Sequence, residues 1–268
     1  MRAVALCAVL AALLAVAACG GTSARRHAVT AATEKVNSIQ KEMQRPLLSV
    51  TYTYRTYGRR GTPLTKSVPG LRAAVHTLAG LRVRIAELEP PPDARALHRD
   101  LLLFAARETA FAREVLGFAE YVPAFRLTMK PLTAVNASFR RALGSAKGPK
   151  RQAAVLEWYR SALEPVVAQL QRLQSPPILL PLHRSQLASL LGVHRAATSL
   201  ARALRRQDKA DLGSLLRNFE TASQSASTVR AQRAQIAAVR SYNRRLFEIR
   251  SIASRIEHDR VVLNDRLG

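Results

Sequence analysis

Cysteine is almost absent from the sequence, which holds only Cys7 and Cys19 among its 268 residues. Both lie at the start of the chain, so the residues after them contain no thiol. Internal disulfides, a cysteine nucleophile and cysteine-ligated zinc or iron–sulfur centres are therefore excluded from the body of the protein.

Aromatic residues and glycine are also scarce. Phe, Tyr and Trp together make up 5% of the chain, and Gly occurs 12 times. Alanine, leucine and arginine dominate instead, and these are strong helix formers, whereas strands favour aromatic and β-branched side chains. The composition predicts an all-α protein.

The motifs of the common enzyme classes are missing as well. The sequence has no His-Glu-x-x-His, no Gly-x-Ser-x-Gly, no Walker-type Gly-x4-Gly-Lys-Ser/Thr and no Glu-x-x-His. We therefore expect no enzymatic activity and assign no catalytic residue, no cofactor and no metal. Glu108 and Glu114 lie among arginines and are expected to form exposed ion pairs, each contributing under about 1 kcal/mol.

Two histidines, His98 and His183, each follow a Pro-Pro pair at the same spacing. They could meet on a metal or an anion, or each could bond a backbone group or pack near the start of its helix. Two histidines alone do not close a metal site, so the structural interpretation is favoured.

The N-terminal segment has the features of an export signal. Arg2 supplies a positive start, and residues 3–18 form an uncharged run that is too short for a membrane span, which needs roughly 20 apolar residues. Residues 16–19 read Val-Ala-Ala-Cys, which resembles the bacterial lipobox. The resemblance implies cleavage before Cys19 and transfer of a diacylglyceryl group to its thiol.

Residues 1–18 are thus predicted to be a lipoprotein signal peptide, and residues 19–28 to be the lipidated Cys19, with palmitate-type acyl chains, and a short polar tether. The expected location is extracytoplasmic, on the outer face of the cell membrane, which makes the membrane a partner through the lipid on Cys19. Two or more acyl chains hold a protein firmly, whereas one holds it reversibly. Cleavage elsewhere, leaving a soluble secreted protein, is the alternative.

Acidic residues are scarce relative to basic ones: 18 Asp and Glu face 42 Lys and Arg, a formal net charge of +24. Three stretches contain no acid at all, and they project a positive field because their charges cannot pair locally. These stretches, residues 43–86, 121–156 and 165–207, hold eight, seven and six basic residues.

This charge predicts binding to anionic lipid headgroups, to envelope polymers or to a protein partner, whereas nucleic acid is not expected outside a membrane. A GC-rich genome that favours arginine codons is the alternative origin of the charge. The candidate anion-binding residues lie in the tyrosine-rich stretch near residue 55 and around residue 145. They are Arg55, Arg59, Arg60, Arg140, Arg141, Lys150 and Arg151.

Apolar residues recur at intervals of three and four over most of the chain, which is the period of an α-helix. Pro46 is expected to kink the first helix, Pro123 to end the third, and residues 58–70 to form a loop. A long C-terminal helix with a heptad-like seam is expected from about residue 209, with a break near 221–227. The helices before it are predicted at residues 29–57, 71–88, 93–123, 124–143, 151–174 and 178–206.

An internal repeat appears at an offset of 85 residues. Leu78 corresponds to Leu163 and Ile85 to Leu170, and both copies contain a Pro-Pro pair followed by five residues and a histidine. We therefore predict one bundle domain over residues 29–268, elongated and antiparallel. It would contain two repeated helix–Pro-Pro–helix hairpins, at about 71–122 and 156–206, and the long C-terminal helix.

The lipobox, the repeated Pro-Pro-x5-His element and the segment Ser-Tyr-Asn-Arg-Arg-Leu at residues 241–246 resemble helical lipoproteins of high-GC Gram-positive bacteria. The resemblance implies a fold and a location and carries no activity. The sequence thus predicts a non-enzymatic, membrane-anchored helical lipoprotein that binds an anionic envelope surface or a protein partner. The alternative is a helical module with an apolar cleft for a lipid or small molecule.

Overall fold

A computed structural model describes residues 23–56, 63–208, 210–225 and 229–267. Within these ranges the chain forms α-helices and three short 3-10 helices, at Leu64–Ser67, Pro92–Ala94 and Pro177–Leu179, and no strand. The all-α prediction is confirmed. The α-helices are α1 (Ser23–Thr56), α2 (Val68–Ala86), α3 (Arg95–Met129), α4 (Pro131–Ser145), α5 (Pro149–Arg172), α6 (Leu180–Arg206), α7 (Leu212–Ser225) and α8 (Val229–Leu267).

The chain divides into two compact units. Unit 1 consists of Met1–Leu116 and Asn243–Gly268, and unit 2 of Gly117–Tyr242. Helices α3 and α8 therefore contribute residues to both. None of the described helices combines the length and apolar character that crossing a bilayer requires.

In unit 1, α1 packs against α2, and Arg84 on α2 forms an ion pair with Glu42 on α1. The first part of α3 runs antiparallel to the end of α8, because Asp100 pairs with Arg255 and Glu114 pairs with Arg245. Leucines, isoleucines and alanines of these helices fill the core. They include Leu71, Leu78, Ile85, Leu97, Leu101, Ala105, Ile249, Ile252 and Ile256.

In unit 2, α5 packs against both α4 and α6, and α7 packs against α6. Helices α5 and α6 are antiparallel, since Glu157 pairs with Arg205 and Glu164, two turns further along α5, contacts His194, earlier on α6. The core side chains include Leu156, Leu163, Val166, Leu170, Leu190, Val193, Ala197 and Leu200.

The 85-residue repeat is visible in the backbone. The Leu88 and Leu173 amides donate to the carbonyls of Ile85 and Leu170 at the ends of α2 and α5, both at 3.2 Å. A 3-10 turn then follows at the same offset in each copy, at Pro92–Ala94 and Pro177–Leu179. The missing amide protons of the prolines end α2 at Ala86 and α5 at Arg172, within one residue of the repeat offset.

Two predicted boundaries are wrong. Helix α3 passes through Pro123 and ends at Met129. The pyrrolidine ring of Pro123 costs the helix one backbone hydrogen bond. Burial of Tyr121 before the proline and of Thr128 after it keeps the helix continuous. Residues 64–70, predicted as loop, are helical. The C-terminal helical segment was expected from about residue 209 with a break near 221–227. It begins with α7 (Leu212–Ser225), residues 226–228 lie outside the described residues, and it continues as the long helix α8 (Val229–Leu267). Its seam is buried at Ile249, Ile252 and Ile256, whereas its earlier members Ile236 and Val239 are about half exposed.

Candidate anion-binding surface

Several predicted site residues lie outside what the structure describes. Cys19, Arg59 and Arg60 fall in undescribed segments, and Arg55 lies at the end of α1 with an undescribed side chain. Lipidation of Cys19 and anion binding near residue 55 therefore stay predictions.

The other four candidates come together at one turn. Arg140 and Arg141 lie in the last turns of α4, and Lys150 and Arg151 in the first turn of α5, which follows three residues later. All four are exposed, and so is Lys147 in the connecting turn, a residue that the sequence pattern did not single out. We call these five residues the basic turn: Arg140, Arg141, Lys147, Lys150 and Arg151.

The turn itself is fixed by its backbone. Gly148 has a φ of 89° and a ψ of 158°, a conformation that side chains with a Cβ rarely adopt. Pro149 then starts α5 at a position where the absent amide proton costs nothing. The Gln152 amide donates to the Gly148 carbonyl at 3.1 Å, and the Ala146 amide to the Leu143 carbonyl at 3.2 Å. This geometry directs α5 back along α4.

An aromatic cluster holds α4 and α5 together beneath the basic turn. The rings of Phe139 and Tyr159 stack with centroids 4.1 Å apart, and Phe219 of α7 packs edge-on against Phe139 at 5.7 Å. The Tyr159 hydroxyl donates to Oδ1 of Asn136 at 2.8 Å. Burial raises the pKa of the Tyr159 phenol, an effect that the nearby Arg140 charge partly offsets. The phenol therefore stays neutral, and the pair of helices is a firm support for the charges.

No described acid forms an ion pair with any residue of the basic turn. The closest acids along α5, Glu157 and Glu164, are engaged on the side of the helix that faces α6. Glu157 pairs with Arg205, and Glu164 pairs with Arg160 at 2.9 Å and contacts His194 at 3.5 Å. The positive charge of the turn is therefore uncompensated, and its guanidinium and ammonium groups can donate to phosphate or carboxylate oxygens.

The two repeat histidines make different internal contacts. Nε2 of His98 lies 2.7 Å from the Ile85 carbonyl in unit 1, so this nitrogen carries the donated proton. In unit 2, Nδ1 of the buried His183 lies 2.9 Å from the Tyr121 hydroxyl. Burial lowers the pKa of His183 and raises that of Tyr121 to about 12. Within the described residues, no group of three His, Cys, Asp or Glu side chains could hold a metal ion.

A small cleft lies in unit 1 beside the first proline turn. Its volume is about 130 Å³, and Val36, Leu97, His98, Lys35 and Glu89 are among the residues that line it. Ligand sites for drug-sized molecules usually measure about 300–1,000 Å³. The cleft is therefore too small for a lipid chain and does not favour the predicted alternative of an apolar ligand site.

Glu108 is a residue whose environment the sequence pattern misjudged. It is partly buried on α3 and forms no ion pair with a described residue. Glu114 does pair with Arg245, but its side chain is only 16% exposed, so the pair is not the exposed one that was expected. Removal from water raises the pKa of the Glu108 carboxyl to about 7. The repeat offered a signal, because the equivalent residue in the second copy is Val193, a core residue that is 3% exposed.

Comparison of the chain with protein-family models, with curated proteins and with solved structures gives no match. A functional proposal for this chain therefore depends on its own residues.

Proposed function

We propose that the protein is a non-enzymatic, extracytoplasmic lipoprotein, anchored by lipid on Cys19, whose helical body binds an anionic envelope surface. The observation that supports binding is the basic turn, where five exposed cations stand on two packed helices and pair with no acid in the described part of the chain. The Val-Ala-Ala-Cys motif at residues 16–19 supports the anchor.

The two parts of the proposal support each other physically. A lipid anchor confines the body to the neighbourhood of a membrane, and a cation close to an anionic surface contributes about 1 kcal/mol of binding free energy. A weakly binding patch therefore suffices, because the anchor already supplies proximity.

The anchor is tested by labelling growing cells of the native host with a fatty-acid analogue and isolating the protein. We expect the label on the N-terminal peptide that begins at Cys19, with the protein in the membrane fraction. The Cys19→Ser variant should carry no label and leave that fraction. An unlabelled wild-type protein with its leader intact would refute the anchor.

The binding is tested by co-sedimentation of the Cys19→Ser chain with vesicles. Vesicles of phosphatidylcholine alone set the baseline, and vesicles with equal parts of phosphatidylglycerol supply the anionic surface. The variant Lys150→Gln/Arg151→Gln should lose about 30-fold in affinity for the anionic vesicles, since two cations contribute about 1 kcal/mol each. The variant Arg172→Gln/Arg184→Gln is the matched control, because it removes two exposed arginines elsewhere in unit 2 that pair with no described acid. Equal losses in both variants would mean that only net charge matters.

A further inference from the structure

The basic turn continues into an exposed aromatic side chain on α5. Trp158, the single tryptophan of the chain, is 45% exposed. It follows Arg151 by seven residues, so the two lie about two helical turns, or roughly 10 Å, apart on nearly the same line of α5. An indole with an apolar body and a polar N–H is the side chain that concentrates at membrane–water interfaces.

The charged residues of α5 lie at different angles around the helix axis. Trp158 and Arg151 lie within about 20° of each other around α5, whereas Tyr159, which reaches Asn136 on α4, is about 100° from Trp158. Glu157 and Glu164 are rotated away from Trp158 by more than about 90° and are bound to cations toward α6. The exposed strip of α5 around the indole therefore carries Arg151 and no acid, whereas Lys150 lies about 80° from the indole, close to the line of Glu157.

We propose that this face, formed by the basic turn and Trp158, lies against an anionic lipid surface with the indole at the level of the headgroups. The inference deepens the proposed function and depends on it, because it takes an anionic envelope surface as the partner and names lipid as its source. Lipid is favoured over a soluble polyanion because an exposed indole has no electrostatic use toward a polymer, whereas it gains by leaving water at an interface.

The geometry sets the orientation of the helix. Arg151 and Trp158 reach one flat surface together only when α5 lies roughly parallel to that surface, since they are separated along its axis rather than around it. Arg140 on the adjacent α4 lies close enough to Tyr159, the residue next to the indole, to offset part of the rise in the pKa of that phenol. The proposed contact is therefore a helix face lying on the bilayer.

Trp158 fluorescence tests the contact directly, because the chain has no other tryptophan. The full chain with Cys19→Ser is titrated with vesicles of phosphatidylcholine, with or without equal parts of phosphatidylglycerol. We expect a blue shift of the emission, and quenching by lipids brominated near the headgroup, with the anionic vesicles alone. Unchanged emission from a chain that co-sediments with these vesicles would overturn the inference and leave the proposed function standing.

Variants give a second measurement. Trp158→Ala should lower affinity for the anionic vesicles about tenfold, as loss of a partly buried large side chain predicts. Leu127→Ala on α3, which is 72% exposed in the same unit, is the matched control and should change affinity less than about twofold. Circular dichroism checks that both variants fold. Equal losses in the two variants would contradict the assignment of Trp158.

Binding of inorganic polyphosphate distinguishes a soluble polymer from a lipid headgroup as the source of the phosphate. Binding of polyphosphate by a chain that ignores anionic vesicles would assign the basic turn to a polymer and overturn the lipid contact. Failure to bind either one would refute the proposed function together with this inference.

Discussion

Helices α2 and α3 form the first Pro-Pro hairpin and α5 and α6 the second, and the two bury nearly the same positions of the 85-residue repeat. Leu78 and Leu163 are both almost completely buried, and so are Ile85 and Leu170. The apolar register is thus common to both copies, and the differences lie in the polar groups placed within it.

Those polar differences give the two copies opposite responses to acid. The first copy places Glu108 at the position that Val193 fills in the second, and burial raises the pKa of that carboxyl to about 7. The second copy buries His183, and burial lowers the pKa of this imidazole. Each group is kept neutral by its surroundings, but a carboxyl is neutral in acid and an imidazole in base. One scaffold therefore carries two titrations of opposite sign.

The largest expected effects come from the shared core. Leu78→Ala and Leu163→Ala each remove a leucine side chain from a closely packed position, and each should lower the free energy of unfolding by about 2–5 kcal/mol. Chemical denaturation measures the loss, and hydrogen–deuterium exchange should place it in unit 1 for Leu78 and in unit 2 for Leu163.

Val83→Ala is the control for these two variants, because Val83 is 51% exposed on α2 and should change stability by less than about 0.5 kcal/mol. If the two leucine variants differ by more than about 3 kcal/mol in their loss of unfolding free energy, the repeat conserves the sequence pattern but not the packing.

Glu108 gives the next largest effect. Its pKa is raised from 4.5 to about 7, so the folded chain binds one more proton than the unfolded chain between these values. Stability should therefore fall by up to about 3 kcal/mol as pH rises from about 4.5 to 7, and be fully present in acid. Glu108→Val, which copies Val193, should remove this slope and stabilise unit 1 at neutral pH.

Denaturation midpoints measured across this pH range check the prediction. Glu108→Gln, which keeps the size but cannot ionise, should also flatten the slope, whereas Glu87→Gln at the exposed end of α2 should leave it in place. A slope that persists in Glu108→Gln would mean that another carboxyl causes it.

The contrast between the copies also shows what the sequence could predict. The three-to-four spacing of apolar residues placed most helices, because helix burial is periodic along the chain. It missed the continuity of α3 through Pro123, because tertiary burial of Tyr121 and Thr128 outweighs a local helix breaker. It assigned Glu108 to the surface, because a charged residue gives no sign of burial unless it is aligned with its repeat partner.

The residues of the candidate site also fall into those that the sequence could predict and those that it could not. Arg140, Arg141, Lys150 and Arg151 are candidate anion-binding residues by sequence, and a short turn between two helices brings them together. Trp158 was not predicted as part of a site, because its exposure depends on how α5 packs against its neighbours. The contact between Tyr121 and His183 spans 62 residues, and no local pattern specifies it.

The smallest predicted effect concerns the buried pair formed by Tyr121 and His183 in unit 2. Tyr121 keeps its proton, since its pKa is about 12, and its hydroxyl can donate to Nδ1 of His183. Tyr121→Phe removes the hydroxyl that contacts both His183 and Ser175, and it should lower stability by about 1–2 kcal/mol. His183 has a lowered pKa, so its contribution is present above the ordinary value of 6.5 and should be lost as pH falls below it.

Hydrogen–deuterium exchange of unit 2 amides, corrected for intrinsic rates at each pH, follows this loss separately from the opposite change at Glu108. His183→Gln should abolish the loss of protection in acid. Tyr121→Phe should lower protection at every pH, and protection should still fall on acidification. Protection in unit 2 that increases on acidification would contradict the assignment, because a buried neutral imidazole must lose stability where its unfolded form gains a proton.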